Sequence, residues 1–268
     1  MVAAENVWGS IAQQLGGSQV DVTSIISDPN ADPHDYEPTA DDAKLFAAAR
    51  VVIVNGIGYD PWAQKLLDAN PVSGRVVVNV GDVVGEPVGG NPHQWYNPAS
   101  VRSMIDAIAG AYERVDPSSR ASFQAGKHRF VSRGLKAYVD AISTIKSTYA
   151  GTKVGASESI FAELAPALGL ELVTPSSFLK AISEGTDPSA ADKSTIDRQI
   201  QARDIAIYVY NSQNATPDVQ RQVAACRAAG IPVAAITETL VPAGASFEQW
   251  QVRELQGIRS ALEEATGR

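Results

Sequence analysis

Cysteine is almost absent. Cys226 is the only one in 268 residues, which excludes an intrachain disulfide and a thiolate zinc cluster. It sits in an alanine-rich helical pattern, Val219–Ala229, where a small apolar side chain is expected to be buried. Histidine is scarce too: with three in the chain, a Cys–His nucleophilic pair has little to draw on. Positive charge is in deficit. Lys plus Arg number 22 against 30 Asp plus Glu, a formal charge of −8, which argues against nucleic acid or an anionic membrane surface as a partner. No run approaches the roughly 18–20 apolar residues of a spanning helix, and no apolar signal core follows Met1. Gly56-Ile57-Gly58 lacks the third glycine of a dinucleotide fingerprint, and there is neither a Walker-type lysine loop nor a Gly-x-Ser-x-Gly elbow.

What is there reads as globular and α/β. Hydrophobic residues make up 44% and charged residues 19%, enough to bury a core in one large domain or two modest ones. Short β-branched runs alternate with helical patterns. Strands are expected at Val20–Ile26, Val51–Asn55 and Val76–Val80, with the extreme N-terminus as a further one, then at Thr152–Ala156, Leu170–Thr174, Ile205–Tyr210 and Pro232–Thr237. Helices are expected at Ala40–Ala49, Pro61–Ala69, Ser100–Val115, Ile160–Leu168, Ala190–Arg203, Pro217–Ala229 and Phe247–Ala265.

Between the two halves, Val131, Leu135, Tyr138, Ile142, Ile145 and Tyr149 make a one-sided helical stripe. Pro117 starts that segment and Gly151 stops it, so a helix of about 45–50 Å is expected. The expected fold is two similar α/β lobes with mostly parallel sheets, joined by one long linking helix. Residues 1–116 form the first lobe, 117–149 the helix and 150–268 the second lobe.

The scarce histidines direct the search for chemistry. His34 lies in a proline-punctuated loop, Asp28-Pro-Asn-Ala-Asp-Pro-His-Asp-Tyr-Glu-Pro38, and His93 in Asn91-Pro-His-Gln-Trp-Tyr-Asn-Pro98. Pro33 and Pro92 stiffen the backbone immediately before each imidazole. Ligands in open α/β sheets bind beyond the carboxyl ends of the strands. In the second half that rule selects Glu158, after Thr152–Ala156, and Glu238, after Pro232–Thr237. Each glutamate alone reads more readily as a helix N-terminal acid favoured by the dipole. Together, two imidazoles and two carboxylates facing one cleft would suit a divalent transition metal. His128, at the head of the helical stripe, reads instead as a partly buried or cap-proximal structural histidine. Tyr59, Trp62, Trp95 and Tyr96 are expected to pack in the core or rim, with shielding of a metal as a secondary role.

The two histidine motifs resemble the first and second ligand motifs of the zinc/manganese substrate-binding proteins of bacterial ABC transporters, the cluster A-I group. Ala156-Ser-Glu-Ser-Ile-Phe161 resembles the third, and Ile236-Thr-Glu-Thr239 falls where the fourth, more often an aspartate, is expected. Asn55-Gly-Ile-Gly-Tyr-Asp60, Glu184-Gly-Thr-Asp-Pro188 and Asn211-Ser-Gln-Asn-Ala-Thr-Pro217 extend the similarity along nearly the whole chain. The resemblance implies two α/β lobes on a long helix and a metal site between the lobes, with His34, His93, Glu158 and Glu238 as ligands. It implies an extracytoplasmic protein, periplasmic or a cell-surface lipoprotein, that binds Mn²⁺ or Zn²⁺ and delivers it to a membrane permease without catalysis.

Met1 is read as standing in place of the export segment, so the membrane enters only through a lipid anchor, and a monomer is expected. The two carboxylates make the set hard and favour Mn²⁺, with Zn²⁺ next and iron third. The absence of histidine from Asp82–Gly90 points the same way, because the family's zinc carriers often have a histidine-rich loop there. The alternatives are a metallohydrolase using the same four groups, or an adhesin with a structural metal.

Overall fold

The computed structural model describes residues 1–28, 36–214 and 216–268. They fall into two compact units: residues 1–136 with 239–247, and residues 137–238 with 248–268. Both are α/β with an all-parallel sheet of four strands.

In the first unit β1 (Val2–Glu5) runs straight into α1 (Asn6–Gly16), followed by β2 (Thr23–Ile26), α2 (Ala40–Ala48), β3 (Val51–Val54), α3 (Pro61–Ala69), β4 (Val76–Asn79) and α4 (Val80–Val84). The longer α5 (Pro98–Val115) and α6 (Arg120–Arg129) complete it. The strand order is β2-β1-β3-β4. Val51, Val52, Ile53 and Val54 are all buried, as a central parallel strand covered on both faces requires. Burying each contributes roughly 1.5–3 kcal/mol.

Phe46, Trp62 and Leu67 pack with Val2, Val52 and Val54 in one core cluster. Helix α5 starts where Asn97 Oδ1 accepts the Ala99 N–H at 3.0 Å, with Pro98 in the first helical position. Gly126 lets α6 close on α1: a Cβ there would stand 2.4 Å from the Leu15 carbonyl oxygen.

Helical turns run on from Pro117 to Tyr149, but not as one regular helix. Phe130–Gly134 forms a π-type turn, in which the Leu135 N–H reaches back to the Phe130 carbonyl at 2.8 Å. The unit boundary follows at Lys136, the first residue of α7 (Lys136–Tyr149). The extra residue of the turn shifts the phase of the stripe, so Phe130 is buried and Val131 only half-buried.

The second unit continues with β5 (Lys153–Ala156), β6 (Glu171–Leu172), α8 (Ser176–Ser183), α9 (Ala190–Ala202), β7 (Ile207–Asn211), α10 (Pro217–Ala228), β8 (Val233–Ile236) and α11 (Phe247–Thr266). Its strand order is β6-β5-β7-β8, the same sequence of second, first, third and fourth strands as in the first unit. Phe178, Ile182, Ile196, Ile200, Tyr208 and Val219 make its core, and Cys226 lies among them. Burial pushes the Cys226 thiol up to about 12. Where a helix was expected at Ile160–Leu168 there is only a 3₁₀ turn, Ser159–Glu163, followed by irregular turns. Pro166 has no N–H to continue a helix there.

Candidate metal centre

In the first unit the predicted histidine is held by a connected set of hydrogen bonds. Asn55, fully buried after β3, accepts from Trp8 Nε1 at 3.0 Å and donates through Nδ2 to the Pro92 carbonyl at 2.9 Å. Gln94 Nε2 donates to the Asn91 carbonyl, and Ser100 Oγ donates to Gln94 Oε1 at 2.7 Å. The loop is thus fastened on both sides of His93, which is only 1% exposed.

Asn91 Oδ1 lies 3.2 Å from the His93 backbone nitrogen and 2.9 Å from His93 Nδ1. A backbone N–H can only donate, so the facing atom of Asn91 is its oxygen, and an amide oxygen can only accept. Nδ1 therefore carries a proton, and Nε2 is the ring nitrogen left to offer a lone pair. This is the arrangement by which a hydrogen bond to one ring nitrogen prepares the other as a metal ligand.

Aromatic rings surround the imidazole. Trp95 stands edge-to-face at 5.4 Å and Tyr59 at 6.1 Å, while Trp8 meets Trp95 at 6.4 Å. Tyr59 is delivered by the turn after β3, in which Ile57 adopts φ 62°. A β-branched residue in the left-handed region stores strain on the order of 1–3 kcal/mol, here locked by burial.

Below the turn, Asp60 accepts the N–H groups of Asn55 and Gly56, each at 2.7 Å. Burial and then the Asp60 charge push Glu5, at the carboxyl end of β1, well above its ordinary value. Burial raises Asp60 as well, against the pull of its two backbone donors. We read the pair as holding one proton, on Glu5.

The second unit presents both predicted carboxylates beyond the carboxyl ends of its parallel strands, Glu158 two residues beyond β5 and Glu238 two residues beyond β8. The loop after β7, the strand between them, reaches both. Asn214 Nδ2 donates to Glu158 Oε2 at 2.8 Å, and the Glu238 N–H donates to Gln213 Oε1 at 2.7 Å. Asn211 Nδ2 faces Glu238 Oε2 at 3.4 Å, and the Asn211 N–H donates to Ser157 Oγ. Glu254 of α11 accepts both the N–H and the hydroxyl of Thr237, at 2.8 and 2.7 Å, which ties down the turn leading to Glu238.

Glu158 is buried, at 2% exposure. His34 lies outside the described residues. Within neither unit do three His, Cys, Asp or Glu side chains gather among the described residues. His93 lies in the first unit, and Glu158 and Glu238 lie in the second.

His128 is exposed on α6, and the helical turns run on past it into Phe130–Gly134. Trp62 packs against Phe46 and Tyr36 in the core cluster, as the core reading expects. The residues that sequence reasoning missed are Asn55, Asn91, Asn211 and Asn214. Their only signal was their presence inside the motifs.

A family model described as zinc-uptake complex component A periplasmic matches residues 1–261. The metal ABC transporter substrate-binding lipoprotein SsaB of Streptococcus sanguinis is 28% identical over 158 residues, 54% of this chain and 48% of its own. The zinc-binding lipoprotein AdcA of Streptococcus pneumoniae is 22% identical over 279 residues, 94% of this chain and 53% of its own. The chain spans about half the length of the curated relatives it matches. The solved structure of FpvC from Pseudomonas aeruginosa in complex with Ni²⁺ superposes with a TM-score of 0.78 at 20% identity, covering 100% of this chain and 97% of that one. At that identity it shows the fold.

Proposed function

The chain belongs to the family of periplasmic zinc-uptake complex component A, and from that premise we propose that it captures a divalent transition metal outside the cytoplasmic membrane. It then delivers the ion to the membrane permease of an ABC transporter. The proposed ligands are His34, His93, Glu158 and Glu238, two imidazoles and two carboxylates on a single ion. Two hard oxygen donors place Mn²⁺ ahead of Zn²⁺ as the cargo, although affinity alone ranks zinc higher at most such sites.

The observation that carries the reading is the buried His93 ring, whose proton Asn91 holds on Nδ1. A buried imidazole oriented in this way by one hydrogen bond, within aromatic walls, suits ligation better than packing. The carboxylates add the charge that attracts a cation, and their amide partners hold them in place. The work is capture and release. The ion offsets the repulsion between clustered carboxylates, and losing it restores that repulsion.

Native mass spectrometry of chelator-stripped protein with Mn²⁺ and then Zn²⁺, alongside thermal melts, tests the proposal. One equivalent of metal is expected, with a raised melting temperature. His93→Ala and His34→Ala should each abolish uptake while His128→Ala leaves it intact. Stoichiometric uptake that survives His93→Ala would overturn the ligand set.

A further inference from the structure

The loop after β7 carries the Asn211-Ser-Gln-Asn214 segment, to which the ligand set gives no role. The amide nitrogen of its last asparagine faces two acceptors. Asn214 Nδ2 lies 3.3 Å from the Ile182 carbonyl as well as 2.8 Å from Glu158 Oε2. A carbonyl oxygen can only accept, so the atom facing it is the amide nitrogen, and that same nitrogen donates to Glu158. Both hydrogens of the amide are thus directed, one to each acceptor, and the Ile182 carbonyl fixes the plane in which the amide meets the carboxylate. An amide suits this place because it stabilises the carboxylate without bringing a positive charge that would compete with a cation.

We propose that Asn214 is a specificity-setting residue: by holding Oε2 of Glu158 it biases that carboxylate towards meeting the metal through its other oxygen. This rests on the reading of Glu158 as a ligand. With Glu158 favouring one oxygen, it adds a single donor, which suits the four-donor shell that zinc takes in tetrahedral sites. Manganese prefers a larger, oxygen-rich shell, to which a carboxylate binding through both oxygens contributes an extra donor. Asn214 therefore holds the preference for Mn²⁺ over Zn²⁺ below what the donor types alone would give. Releasing Oε2 should raise that preference.

The test compares Asn214→Leu, which keeps the shape without the donor, with Asn214→Ala. Dissociation constants for Mn²⁺ and Zn²⁺ are measured by competition with a chelating dye. A lost outer hydrogen bond costs roughly 10–100-fold in metal affinity, and we expect zinc to bear that loss while manganese loses less, moving the ratio of the two constants by about tenfold. X-ray absorption of the manganese-loaded Asn214→Leu protein should show an additional oxygen neighbour. Equal weakening for both metals would mean a merely structural brace and would overturn the proposal, as would no change in either. Glu158→Gln is the control on the underlying reading. If it leaves both affinities intact, Glu158 is not a ligand, and the failure is traced to that residue rather than to Asn214.

Discussion

Replacing Asn91 with alanine removes the acceptor that fixes the proton on His93 Nδ1 while leaving the ring, its aromatic walls and the backbone contact from Gln94 in place. Two hydrogen bonds are lost, at 2.9 Å from the ring and 3.2 Å from the backbone N–H. With His93 at 1% exposure, bulk water is not at hand to replace them. A buried donor left without an acceptor costs about 1–3 kcal/mol of stability. The ring is then able to place its proton on either nitrogen and to turn about its own axis, and loss of such a partner typically weakens metal binding by about 10–100-fold. At 1.4 kcal/mol per tenfold, that is roughly 1.4–2.8 kcal/mol of binding free energy. Asn91→Asp makes the opposite change: an anionic acceptor keeps the proton on Nδ1 and raises the basicity of Nε2, so affinity should be retained or tightened. Competition titrations with a chelating dye at constant pH measure both variants for Mn²⁺ and Zn²⁺. Unchanged affinity in Asn91→Ala, or a loss in Asn91→Asp as large as in Asn91→Ala, would refute the reasoning.

Other consequences are equally measurable. Glu5 has its folded value raised above the ordinary 4.5, so its contribution to stability is complete below that value and is lost as pH rises through the folded one. Melting temperature should therefore fall towards alkaline pH, and less so in Glu5→Gln; parallel curves would contradict the assignment of the proton to Glu5. Gly126→Ala should destabilise by about 1–3 kcal/mol in urea titration, because its Cβ would meet backbone, which cannot rotate away. Cys226 should resist a thiol reagent in the native protein and react on unfolding; rapid native labelling would contradict its burial.

Much of the fold was legible because its strands are dense β-branched runs, such as Val51–Val54, bounded by turn residues. Helix α1 was not, since β1 passes into it without a turn residue and Glu5 serves as N-cap without a side-chain bond. A single-period stripe likewise conceals a π turn, because the phase shift at Phe130–Gly134 changes which neighbour is buried rather than the spacing that follows. Of the site, Glu158 and Glu238 could be assigned to strand ends from the alternation of elements, and His93 to a stiffened loop. The asparagines that hold them were hidden for a physical reason: an amide in a polar loop looks the same in sequence whether it faces water or a buried carboxylate.

Asn55 carries a further liability and its own remedy. Asn-Gly is the dipeptide most prone to spontaneous deamidation, since the glycine nitrogen attacks the side-chain amide with little hindrance. Here the Gly56 N–H is engaged by Asp60, and the Asn55 amide is held at both ends by Trp8 and Pro92. Folded protein should therefore age slowly at this bond, whereas material kept unfolded should gain the mass increase of deamidation at Asn55. Once refolded, such molecules would present a carboxylate oxygen to the Pro92 carbonyl where a donor is needed. Purification through denaturant would thus yield a mixed population, part of it with a slack histidine loop, while gently prepared protein would remain uniform.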